Sequence, residues 1–153
     1  MNSKVQIAIL FLWLAGLTPA TEAASSLDQA ITAYEKRDVR KALELLEVLA
    51  KTDEKQALMN LAKVEMRSGK AKNALRAAER LVELYPDDPD AHLTLGMAYL
   101  TMMGEVNMFR LVSMAKQARA GWEKAVELDP NHLGGLYSLF SYYANAPKVG
   151  GGD

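Results

Sequence analysis

The sequence predicts an all-α fold of stacked helix–turn–helix repeats, and three observations lead there. From Ser26 onward the apolar residues recur at helical spacing, and no run of alternating β-branched residues interrupts them. Ala, Leu, Glu and Lys dominate each segment, with short breaks at Gly69, Pro86 and Pro130. The segments also repeat one another. ELYPDDPDAH lines up with VELDPNHLGG, while Ala42, Ala74 and Ala118 open the similar stretches ALELLEVL, ALRAAERL and ARAGWEKAV at spacings of 32 and 44 residues. A period near 34 residues is that of two-helix repeats, so the second spacing implies about ten extra residues inside one unit.

The chain opens on a different pattern. Lys4 gives a short positive start, Val5 to Leu17 is apolar except for Gln6, and small residues follow around Ala20 and Ala23. That order is the order of a secretory signal peptide, expected over residues 1–23 with cleavage after Ala23 or, alternatively, after Ala20. The apolar run is shorter than the roughly 20 residues that span a bilayer, so no transmembrane span is expected in the mature chain, residues 24–153. Export implies a periplasmic or secreted protein. The chain has no cysteine, so its stability must come from helix packing and not from disulfides.

Within the mature chain the helix boundaries carry local signals. Gly69 suits a left-handed helix end. Asp88-Pro89 is a cap followed by proline at the first helical position, and Pro130-Asn131 repeats that stop and restart. No Ser/Gly linker or charge block divides the chain, so it reads as one domain. Formal net charge is −1, and removal of Lys4 and Glu22 with the leader leaves it there. A concentrated positive excess is what nucleic-acid binding would need, and no nucleic acid is expected as a partner.

The third unit makes the repeat specific. His92, Leu95, Gly96 and Tyr99, then Ala118, Trp122 and Pro130, fill the pattern W-x2-L-G-x2-Y … A-x3-F … P in every position but His92. The second unit follows through Leu58, Leu61, Ala62, Ala74, Ala78 and Pro86, with Glu65 in place of the aromatic. The first keeps Ala30, Ala42 and Leu46. A fourth begins with Leu136, Leu139 and Tyr143, with Phe140 where a small residue is expected. In this the chain resembles the tetratricopeptide repeat (TPR) family, in its exported bacterial form, over nearly the whole mature sequence. The resemblance implies about three repeats plus a terminal helix, stacked as a short right-handed solenoid. Gly96 and Ala62 are small because the two helices of a unit cross closely there. The final YYANAPKVGGGD resembles the break between paired helices in some bacterial TPR proteins, where another helix follows.

Catalytic groups are scarce. There is no cysteine nucleophile, His92 and His132 are the only imidazoles, and neither G-x-S-x-G nor H-E-x-x-H occurs. His92 falls at a repeat packing position and His132 in a turn, while Asp87 and Asp88 read as capping residues. No enzymatic activity, metal or cofactor is expected.

The resemblance implies instead that the first helix of each unit lines a concave groove. By register that face holds Tyr34 in the first unit, Met59, Asn60, Lys63, Met66 and Arg67 in the second, and Leu93, Met97 and Leu100 in the third. Leu, Met and Tyr on this face suit an apolar helix or peptide segment. The extra residues, near 103–113, are apolar at Met103, Val106, Met108, Phe109, Leu111 and Val112, a second contact surface for a partner. Apolar and aromatic residues surround the last helix, and Leu136, Leu139, Phe140 and Tyr143 are candidates for self-association.

The expected function is that of a non-enzymatic scaffold or adaptor of the bacterial cell envelope, holding a protein or peptide partner. A self-associating structural subunit of an envelope complex is the alternative. A copper or small-ligand carrier using the methionines between Met97 and Met114 is a lesser one.

Overall fold

The computed structural model describes residues 19–145. Among these, all regular structure is helical: α1 (Pro19–Glu35), α2 (Val39–Ala50), α3 (Lys55–Arg67), α4 (Ala71–Leu84), α5 (Pro89–Met102), α6 (Met108–Leu128) and α7 (Leu133–Asn145). The leader expected over residues 1–23 lies outside the described residues as far as residue 18, and Pro19 to Ala23 begin α1. No helix among the described residues is long and apolar enough to cross a membrane.

The helix ends follow from local chemistry. Asp38, Glu54 and Asn107 accept hydrogen bonds from the backbone N–H three residues on, capping α2, α3 and α6. Asp88 caps α5 with Pro89 at its first turn, as the sequence predicts. Gly69 ends α3 with φ +72°, a left-handed conformation in which a Cβ would be strained. Lys70 gives α4 no side-chain cap, and the connection between α5 and α6 supplies one: Glu105 Oε1 accepts from Ala71 N at 3.2 Å. Losing this cap in Glu105→Ala is expected to cost about 1 kcal/mol. Thermal unfolding followed by circular dichroism checks it, and an unchanged midpoint would show that the contact contributes nothing.

Consecutive helices pack as antiparallel neighbours, and α1, α3, α5 and α7 also touch one another in order. They form one layer, with α2, α4 and α6 behind them. The core runs between the layers in successive clusters: Ala30, Leu43, Leu46 and Val64; then Leu58, Met59, Leu81 and Ala91; then Ala62, Ala77, Ala78 and Ala98. The protein is an all-α helical-repeat solenoid.

Polar ties join successive units. Arg80 forks onto both carboxylate oxygens of Asp53 at 3.2 and 3.1 Å, and the Tyr85 hydroxyl donates to the Asp53 carbonyl at 2.9 Å. Lys55 is paired with Asp88. Burial alone would raise the Asp88 carboxyl. The hydrogen bond from Lys55 and those from the N–H groups of Asp90 and Ala91 outweigh it and hold Asp88 below the usual carboxylate range. Glu65, at the aromatic position of its repeat, is only 2 % exposed. It accepts from Asn73 Nδ2 at 3.2 Å and has Lys70 Nζ at 3.6 Å.

The extra residues of the third unit appear chiefly as helix. α6 has 21 residues against 14 in α4, so about two added turns extend its N-terminus.

Candidate functional site

The close crossing of α5 and α6 sets the position of everything around it. A Cβ on Gly96 would lie 2.4 Å from Trp122 Nε1 and 2.8 Å from the Ala118 carbonyl, and one on Gly121 would lie 2.9 Å from the His92 carbonyl. Only glycine lets the two backbones approach this far. The indole of Trp122 is thereby clamped over α5, 3 % exposed, with its edge against the Tyr142 ring of α7 at 6.1 Å between centroids.

Beyond this crossing the helices separate. α6 outruns the 13-residue α7 by about eight residues, roughly 12 Å, so its added turns stand partly free. The result is an apolar groove of about 490 Å³. Met97, Leu100 and Met103 form its α5 wall, and Leu111, Val112, Ala115, Ala118 and Trp122 its α6 wall. Tyr137, Ser138, Ser141, Tyr142 and Asn145 form the α7 wall. The small residues of the lining are Ala115 and Ala118 on α6 and Ser138 and Ser141 on α7.

None of these lining side chains is an acid, a lysine, an arginine or a histidine. Two of the few polar groups are engaged by α7 itself: the Ser138 hydroxyl donates to the Gly134 carbonyl at 2.8 Å and the Asn145 amide to the Ser141 carbonyl at 2.8 Å. The groove thus offers apolar contact, with little to satisfy a buried charge. Its volume falls within the range of roughly 300–1,000 Å³ usual for ligand clefts.

The structure divides the residues expected on the inner face. Met97 and Leu100 line the groove at 39 % and 44 % exposure. Lys63 and Arg67 are exposed on α3, with Asn60 half-buried on the same side. The Arg67 guanidinium lies 5.9 Å from the centre of the half-buried Tyr34 ring, a cation–π contact linking the first and second units. Three others are not groove residues. Met59 is buried with Leu58, Leu81 and Ala91. Met66 packs on the cluster of Ala62, Ala77, Ala78 and Ala98. Leu93 lies under the first turn of α7, close enough that a Cβ on Gly134 would come within 2.7 Å of its Cδ2. The cause is shared: successive first helices pack on one another and cover positions that register alone leaves facing outward.

The added segment divides likewise. Met103, Leu111 and Val112 join Met97 and Leu100 in the groove, whereas Val106 is half-buried in the connection. Met108 and Phe109 are 79 % and 93 % exposed, outside the lining. The α7 wall and Trp122 lie outside the face that the repeat register assigns to the groove. Residues 137, 138, 141, 142 and 145 share one helix face, and that spacing was the available signal.

Both imidazoles are occupied at helix ends. His92 Nε2 donates to the Pro86 carbonyl at 2.7 Å. His132 stands in the capping position of α7: its Nδ1 accepts from Gly135 N at 3.2 Å, so Nε2 carries the proton directed at Asp90 Oδ1, also at 3.2 Å. Among the described residues no group of three or more His, Cys, Asp or Glu could hold a metal ion.

Comparison with known proteins agrees with this architecture. The tetratricopeptide repeat family matches residues 27–89 and again 59–101. No curated protein sequence matches the chain. Among solved structures it is similar to TTC0263, a thermophilic TPR protein of Thermus thermophilus, with 22 % identity and a TM-score of 0.71. That similarity covers 80 % of this chain and 64 % of the Thermus chain, so this chain spans less than two thirds of that relative. The TPR domain of Sgt2 from Aspergillus fumigatus is similar at 21 % identity and a TM-score of 0.71, over 88 % of this chain and 84 % of that one. The first TPR of Spaghetti (RPAP3), solved with an HSP90 peptide, is similar at 16 % identity and a TM-score of 0.65, over 78 % and 88 % of the two chains. At these identities the structural likenesses speak for the fold. With the repeat signature matched and the paired helices in place, the chain belongs to the tetratricopeptide repeat family.

Proposed function

We propose that this protein is a non-enzymatic interaction module that holds an apolar helical segment of a partner protein in the groove between α5, α6 and α7. One observation carries the reading: an apolar groove of about 490 Å³ with a lining free of charged side chains, in which Ala115, Ala118, Ser138 and Ser141 are the small residues. Leu and Met side chains on α5 and the added turns of α6 would receive the partner's large apolar residues, the helix-in-groove mode of recognition. The TPR fold is consistent with such a role, and the Spaghetti (RPAP3) domain was solved with a peptide bound. The leader-like residues 1–23 support placing this activity in the cell envelope, as a scaffold or adaptor.

A photo-crosslinking residue at Leu100 or Val112, tested in cells, is expected to give an adduct with a distinct protein. The same residue at Lys72, on the outer layer, should give none. Met97→Asp with Leu100→Asp should weaken capture at least about tenfold, since a carboxylate in this lining has no partner, while helical content stays unchanged. Equal adducts from both faces would remove the groove from consideration.

A further inference from the structure

The added turns of α6 end in a surface of their own, outside the groove. Met108 and Phe109 are 79 % and 93 % exposed, and Phe109 is the most exposed large apolar side chain among the described residues. Neither lines the groove and neither belongs to a core cluster. The charges around them are one-sided. From Val106 to Trp122 the chain carries Arg110, Lys116 and Arg119 and no acid, within a sequence whose formal net charge is −1. Arg119 is paired with Glu123 at 3.4 Å. Arg110 and Lys116 are exposed and have no ion pair among the described residues. Glu105, the acid that precedes them, is held on Ala71 N. Arg110 stands in the first turn of α6, where the helix dipole favours an acid, so its charge does not serve the helix.

Two apolar side chains fall far short of the roughly 20–30 residues a side that a specific protein interface engages. A lipid surface asks for less: an apolar tip, flanking cations and the right depth between them. Phe109 and Lys116 are seven residues apart, hence on one face of α6 and about 10 Å apart along its axis. Interfacial helices bury their apolar side chains roughly 5–10 Å into the boundary between headgroups and acyl chains. With α6 entering end-on, Lys116 is level with the phosphates when Phe109 is immersed, and Arg110 reaches them along its own stem. We propose that this tip is a peripheral contact with an anionic lipid surface, Met108 and Phe109 entering the acyl boundary and Arg110 and Lys116 meeting the phosphates. The contact does not depend on the groove reading.

The chain has no cysteine, so Met108→Cys gives a single site for an environment-sensitive fluorophore on the full chain. The apolar run from Val5 to Leu17 can itself bring the chain to lipid, so a local readout is needed. Vesicles of phosphatidylcholine and phosphatidylglycerol, two to one, should brighten and blue-shift the label at 108, and leave one at Lys72→Cys on the outer layer unchanged. Vesicles of phosphatidylcholine alone should give a much smaller response, and added salt should weaken the anionic one. In the labelled background, Phe109→Glu should shift the balance of shielded and exposed label about tenfold or more towards exposed. Arg110→Glu with Lys116→Glu should do the same, and both variants should keep their helical circular dichroism. No response to anionic vesicles, or equal responses at 108 and 72, would overturn the proposal. So would equal responses to charged and neutral vesicles. A label already shielded in buffer would place another part of the chain on the tip, and one that responds only to lipid-free protein extract would place a protein there; either result also overturns it.

Discussion

Gly96→Val is expected to lower the free energy of unfolding by about 3 kcal/mol or more, and Gly96→Ala by about 1–2 kcal/mol. The sign of the alanine result is the informative part. Gly96 lies inside α5, where alanine is intrinsically better than glycine by roughly 1 kcal/mol, so propensity alone predicts stabilisation. The packing predicts the reverse. The added methyl would lie 2.6 Å from Trp122 Cδ1 and 2.8 Å from the Ala118 carbonyl oxygen. The indole is buried and the carbonyl is helix backbone, so neither moves aside cheaply. Gly121 on the facing helix has no slack either, since its own Cβ would meet the Gly96 backbone at 3.0 Å. Relief therefore means parting α5 from α6, which loosens Ala118 and Trp122 along the same seam. Urea unfolding of both variants decides the matter. A Gly96→Ala protein more stable than wild type would mean that the crossing tolerates a side chain.

That crossing was legible in the sequence because it is local to one repeat. A small residue at Gly96, a small residue at Ala118 and a large one at Trp122 recur at fixed spacing, and the periodicity states which of them face each other. Helix ends were legible for the same reason: Gly69 and Asp88-Pro89 act through their own backbones. The groove was legible only in part. Met97, Leu100, Met103, Leu111 and Val112 could be singled out as apolar residues without an evident place in the repeat. Their convergence depends on α6 beginning two turns early, and an apolar insertion reads equally well as loop or helix. Met59, Met66 and Leu93 were misplaced because the spacing of successive first helices is a property of the stack and not of any one unit. The contact of His132 with Asp90 and the capping of α4 by Glu105 join residues whose proximity only the fold creates.

Trp122→Ala is expected to cost about 3–5 kcal/mol, a large share of the 5–15 kcal/mol that holds a domain of this size together. The side chain is 3 % exposed and touches all three helices of the third and fourth units: Gly96 of α5, its own α6, and Tyr142 of α7. Alanine would leave a cavity that cannot collapse, because the glycines already hold α5 and α6 at closest approach. The cost should be uneven along the chain. α7 packs less extensively on α6 than α5 does, so loss of the edge contact with Tyr142 should free α7 before the earlier repeats unfold. Hydrogen exchange would show this as protection lost first in Leu133–Asn145, with the α3–α4 amides little changed. Trp122→Phe separates volume from aromaticity. It keeps a ring against Tyr142 and removes an indole N–H that has no hydrogen-bond partner among the described residues, so it should cost well under half as much as alanine. The same pair of variants bears on function, because Trp122 lines the groove. If an apolar segment binds there, Trp122→Phe should retain capture, and Trp122→Ala should lose it at temperatures where α2 to α5 are still folded. Capture that survives the release of α7 would confine the site to the α5 wall and the added turns of α6.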